Sequence, residues 1–176
     1  MSADPPVRSL EGRAPSSRKT VLAWAIWDWG NQPFNSIVIT FVFSVYLTSR
    51  AFGDTNFTSQ ALAWSTAAAG LIVAVIAPVL GQRADRSGRA VRQLRRTTWL
   101  VALITAAMFW VRPQTEPQFQ GVPLFLILGL ALLGVGSILN EIAGVSYNSL
   151  IDEVATDGNV GRISAFGWGL GYLGGI

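Results

Sequence analysis

Gly81-Gln82-Arg83-Ala84-Asp85-Arg86-Ser87-Gly88-Arg89 is the stretch on which the reading of this chain turns. Continued to Arg96, it carries six arginines (Arg83, Arg86, Arg89, Arg92, Arg95, Arg96) and one acid, Asp85, within sixteen residues. Long apolar runs flank it on both sides. A basic stretch in that position reads as a tight cytoplasmic loop between two membrane helices, because arginine-rich loops stay on the cytoplasmic side. Gly81 and Gly88 suit a chain that leaves one helix and turns sharply into the next. Asp85 can pair with the arginines around it or cap a helix start. On composition alone, an anchor that only fixes orientation explains the stretch equally well.

Working outward, 51% of the 176 residues are hydrophobic and 13% are charged. That charge fraction is about half the ~25% of a soluble domain. Apolar runs of about twenty residues recur, so the predicted fold is all-α, a set of polytopic transmembrane helices with the lipid bilayer as partner. The chain has no cysteine and no histidine. Disulfides, thiolate metal sites and histidine-based catalysis are thereby excluded, and no metal or cofactor is expected. No phosphate-binding Gly-x-x-x-x-Gly-Lys-Ser/Thr loop occurs, so no ATPase is expected. The net charge of +3 lies mostly in the loops. It reports orientation rather than nucleic-acid binding.

Residues 1–19 are polar, with Pro5, Pro6 and Pro15, and read as a disordered cytoplasmic tail. Residues 20–176 read as membrane helices at about 20–46, 59–80, 94–111 and 122–150, with a fifth segment at 163–176. That last segment makes ~21 Å of helix, short of a ~30 Å hydrocarbon core. The expectation is four full helices and the start of a fifth, hence a fragment of a longer protein or a truncated gene. The alanine-rich second helix is expected inside the bundle. The third is expected to be a peripheral scaffold. The tail, the arginine loop and the loop after the fourth helix hold eleven of the thirteen Lys and Arg residues. This puts the N-terminus in the cytoplasm.

Asp28 and Glu141 are the two acids inside predicted membrane helices. A charge there costs ~2.5–3.5 kcal/mol on insertion scales, so each should face a cavity or a partner. Asp28 lies ~12 Å and Glu141 ~15 Å from the cytoplasmic ends of their helices, a similar depth on antiparallel helices. Both are candidate proton-coupling groups; pairing with a missing arginine, or capping a broken helix, is the competing account. Trp24, Asp28, Asn31 and Asn35 share one helix face, with Gln32 beside them. Asn140 adjoins Glu141, and Ser137, Glu141, Gly144 and Asn148 share a face of the fourth helix. Trp24, Asn31, Gln32, Asn35, Asn140 and Asn148 are therefore candidate cavity groups. Trp27 and Trp29 are read as interface or packing residues. Pro33 removes a backbone donor and should loosen its helix. Gly167, Gly171 and Gly175 form a ridge for close helix packing, and such a ridge needs a partner.

Gly-x-x-x-Asp-Arg-x-Gly-Arg, with Ala90 where another basic residue is usual, resembles the loop between the second and third helices of the major facilitator superfamily. Trp24-Ala-Ile-Trp-Asp28-Trp29-Gly-Asn31-Gln-Pro-Phe34, Tyr147-Asn148-Ser-Leu-Ile-Asp-Glu153 and Gly161-Arg162 through Gly175 extend the likeness. Together they resemble its vacuole effluxer-like, autophagy-related branch; Asp152 stands where that branch is expected to have proline. The resemblance implies a twelve-helix transporter of two six-helix halves, of which this chain would be part of the N-terminal half. It implies a cavity lined by the first and fourth helices. It also implies an intracellular gate made by Gly81, Asp85, Arg86, Gly88 and Arg89. Yeast-type members export amino acids from the vacuole; for a bacterial chain the plasma membrane is expected.

Two readings follow. One is a secondary transporter of a small solute, working with a missing C-terminal half by alternating access. The other is a truncated, non-transporting membrane protein that docks on other helices through its glycine ridge. An enzyme is not expected, because the acids have no nucleophile or metal partner.

Overall fold

The structure is a computed structural model that describes residues 16–87 and 89–176; for residues 80–88 it describes backbone alone, Gly88 excepted. Ser17 opens the first helix, its hydroxyl accepting the Thr20 amide at 3.2 Å. Helix α1 runs Arg18–Pro33. It passes without a break into a π-helical stretch, Phe34–Phe43, and a last α turn, α2, Ser44–Leu47. Pro33 has no N–H to return to the Trp29 carbonyl, and the wider winding begins immediately after it. Hydroxyls follow the new pitch: Thr40 donates to the Asn35 carbonyl at 2.9 Å, and Ser44 to the Ile39 carbonyl, each five residues back.

Helix α3 spans Thr55–Ser87 and α4 spans Ala90–Met108. The expected arginine loop is therefore mostly helix, for α3 continues to Ser87 rather than stopping at Leu80. Apolar periodicity marks where lipid ends, whereas Gln, Arg and Ala go on propagating a helix beyond it. The side chains of the expected gate residues Asp85 and Arg86, and Gly88 altogether, lie outside the described residues. Arg89 is exposed and directly precedes α4. Past α4, a two-stranded antiparallel ribbon pairs β1 (Gln118–Phe119) with β2 (Val122–Pro123). Its turn places Gln120 and Gly121 at positive φ. Helix α5 then runs Leu124–Ser149, α6 Ile151–Val154 and α7 Val160–Gly174.

Helices α3 and α4 both pack on α5, while α7 packs on α1. Two apolar clusters hold the ends together. Trp24, Ala25, Leu94, Ala143, Tyr147 and Leu150 form one. Phe34, Phe43, Leu47, Phe52, Leu126 and Leu133 anchor the other. Trp24 contacts Tyr147 while Asn35 contacts Asn140, so sequence number rises along α1 as it falls along α5, and the two helices are antiparallel. Between the clusters lies a polar band.

The outward surface is apolar. Trp64 is 76% and Leu71 69% exposed, and Phe41, Val45, Trp99 and Leu103 are exposed too. Water would not tolerate so much continuous apolar surface, whereas lipid does. Helix α3, over Thr55–Val79, and the stretch Leu124–Val154 are long and apolar enough to cross a membrane. The outer face of α4 agrees with a scaffold position. The expectation for α3 does not hold within this chain. Ser65 donates to the Leu130 carbonyl at 3.3 Å and Ala69 is buried, but Ala63, Ala67, Ala68 and Gly70 are exposed. Small side chains permit close approach; they do not supply the neighbour.

Candidate functional site

Three helices build the site. Along α1 and the π-helical stretch that continues it, spacings of three and four bring Asp28, Asn31 and Asn35 onto the face that looks at α5 and α7. From α5 come Asn140, Glu141, Tyr147 and Asn148; from α7, Trp168 and Tyr172. Together with Gln32, Ser36 and Trp27 they line a cavity of about 490 Å³. This is the size range of small-molecule sites, ~300–1,000 Å³.

Glycines set the wall between α1 and α7. A Cβ on Gly171 would come 3.0 Å from the Asp28 Cγ and 3.4 Å from the Gln32 Nε2. One on Gly167 would press into the Trp24 ring, 2.8 Å from its Cη2, and one on Gly175 would lie 2.7 Å from the Ser36 hydroxyl. The ridge read from sequence thus meets α1 of its own chain. That face is not free to dock another helix, so the interaction reading loses the surface it was built on. A glycine outside the predicted ridge, Gly174, makes the closest approach: a Cβ there would meet the Trp29 backbone, 2.8 Å from the carbonyl carbon.

Within the cavity, the Gln32 amide donates to the Asp28 carboxylate at 3.4 Å, one helical turn away. Across the helices, Asn140 Nδ2 donates to Asn35 Oδ1 at 3.1 Å. Asn140 is 3% exposed, and its own Oδ1 has no partner among the described residues. The buried Tyr147 hydroxyl is likewise without one. Glu141 and Asn148 are exposed on the open side of the cavity. Asp28 and Glu141 both line this cavity.

Trp24 is not in that lining. Its ring stacks on Tyr147 at 4.5 Å and 8°, and its Nε1–H donates to the Tyr147 carbonyl at 3.2 Å, behind the wall. Trp27, read as a packing residue, does reach the lining. It stacks on Tyr147 at 4.8 Å, and its indole N–H donates to Thr98 Oγ1 on α4 at 2.9 Å. Replacing Trp27 by Phe keeps an aromatic ring, smaller than the indole, and removes that bond. The expected cost is about 1 kcal/mol, read from reversible unfolding in micelles. Sequence reasoning also passed over Tyr147, Trp168, Tyr172 and Ser36 as site residues. The signal was available for two of them: Trp168 and Tyr172 each directly follow a ridge glycine, and so stand at the edge of the packed face.

No family model matches the chain, and no solved structure matches it. Among curated proteins it is similar to the "Uncharacterized MFS-type transporter YxiO" of Bacillus subtilis (strain 168), 25% identical over 155 residues. The match covers 86% of this chain and 34% of the relative, so the chain spans about a third of that protein's length. The likeness extends over most of the chain and joins a polytopic helical fold to part of a major facilitator superfamily-type protein.

Proposed function

We propose that the chain contributes the N-terminal, cytoplasm-starting part of a secondary transporter that moves a small solute by alternating access. The observation that carries this reading is the polar cavity between α1, α5 and α7, set in a bundle whose outer surface is apolar. Polar and acidic groups at membrane depth are costly, and they are kept where a solute or ion passes. The cavity is open on one side, where Glu141 and Asn148 are exposed, and a second helical half would close it. The greater length of the curated relative supports that second half. Asp28 is the proton-coupling group: it is half-buried, within reach of one amide, and faces the cavity. Glu141, at the cavity mouth, is a second carboxylate on the same path. The motifs around Asp28, Tyr147 and Gly167 support the vacuole effluxer-like branch, with efflux of amino acids as the activity. The plasma membrane is the site in a bacterial cell, and the Lys and Arg distribution supports a cytoplasmic N-terminus.

The test is flux. The longest natural form of the protein, reconstituted in liposomes with an imposed pH gradient, should accumulate labelled amino acid, and an ionophore that collapses the gradient should abolish the accumulation. Solute movement that ignores the gradient would remove proton coupling. No movement of any small solute would return the lead to a non-transporting membrane protein.

A further inference from the structure

We propose that the face of the cavity formed by α1, α5 and α7 is a seat for an organic ammonium group. The group would be held between the carboxylates of Asp28 and Glu141 and the rings of Trp168 and Tyr172. This deepens the transport reading and rests on it for the claim that the occupant is a transported solute.

Two independent observations converge. First, the lining carries charge of one sign: among the described residues it includes Asp28 and Glu141 and no lysine or arginine. A carboxylate ligand would enter this face against two like charges, whereas an ammonium is drawn in. Second, the aromatic rings differ in what they can offer. Tyr147 stacks with both Trp24 and Trp27, at 4.5 and 4.8 Å, and Trp27 gives one of its faces to that stack. Trp168 and Tyr172 lie 6.4 Å apart at 52° and are largely exposed, so their faces are open to a ligand. An open indole or phenol face attracts a cation through its quadrupole. Among the described residues no basic side chain on this face meets a ligand carboxylate, so an amine should bind here at least as well as the corresponding amino acid.

The test uses four matched probes on the purified chain in lipid nanodiscs at pH 7: phenethylammonium, phenylalanine, 2-phenylethanol and 3-phenylpropionate. Binding is read by titration calorimetry. The expected order is phenethylammonium at least equal to phenylalanine, with both at least tenfold tighter than the alcohol or the acid. Asp28→Asn should weaken phenethylammonium at least tenfold and leave 2-phenylethanol unchanged. Should that variant misfold, Trp168→Leu, on an exposed face, should weaken phenethylammonium at least threefold. Equal or tighter binding of 3-phenylpropionate or 2-phenylethanol overturns the seat. Ammonium-selective binding without flux in the liposome assay keeps the seat and removes the transport reading. Flux of acids with no ammonium preference keeps transport and removes the seat.

Discussion

Gly174→Val should separate α7 from α1 and destabilise the bundle by about 3 kcal/mol, the upper part of the usual range for an overpacked contact. The obstacle is backbone. A Cβ at Gly174 would lie 2.8 Å from the Trp29 carbonyl carbon and 3.0 Å from its Cα, so no rotamer change can relieve the clash. The contact falls where Pro33 withholds its N–H from the Trp29 carbonyl, and bare glycine backbone is what fits over that gap. Gly169→Ala is the control: nothing lies within 4 Å of its added Cβ. It should be neutral or gain up to ~1 kcal/mol from helix propensity. Unfolding of both variants in mixed micelles reads the difference, and a Gly174→Val melt equal to that of Gly169→Ala would refute close α1–α7 packing.

Asp28→Asn should abolish accumulation driven by a pH gradient while sparing the fold. Asparagine has the shape of aspartate and fits beside Gly171, but it cannot carry a proton. One pH unit is worth about 1.4 kcal/mol per proton, so coupling to one proton per solute gives about tenfold accumulation. In the variant that ratio should fall to one, with unchanged thermal stability and with solute exchange retained once the solute is raised about tenfold to offset the weaker seat. Accumulation that persists in the variant would exclude Asp28 as the coupling group and turn attention to Glu141.

The polar stripe was legible because a helix has one period: Asp28, Asn31 and Asn35 recur at steps that share a face, and the structure puts all three on the cavity. Trp24 obeys the same period and yet lies behind the wall. Periodicity gives rotation about the axis, not the neighbour at each level, and at Trp24 the neighbour is the Tyr147 ring. The ridge on α7 was legible as a demand for a close partner. That the partner is α1 depends on contacts far apart in sequence, which no local pattern encodes. Pro33 announced a loosened turn. The π-helical run that follows was not legible, since Ile37, Val38 and Ile39 look alike in either winding. The end of α3 was misjudged for a single reason: hydrophobicity reports the solvent, and this helix runs on to Ser87, past its apolar stretch.

The Asn35–Asn140 bond has one more consequence. Apolar helix surfaces resting on one another in lipid resemble smooth rods, on which many rotational settings are nearly equivalent. A single amide pair breaks that degeneracy, because a small twist leaves both groups unmatched in a medium that cannot replace them. It acts as a key cut into otherwise interchangeable surfaces. The orientation in which α1 shows Asp28 to the cavity is thereby held on both sides of the carboxylate, by this amide pair beyond Pro33 and by the Trp24 N–H bond to the Tyr147 carbonyl before it.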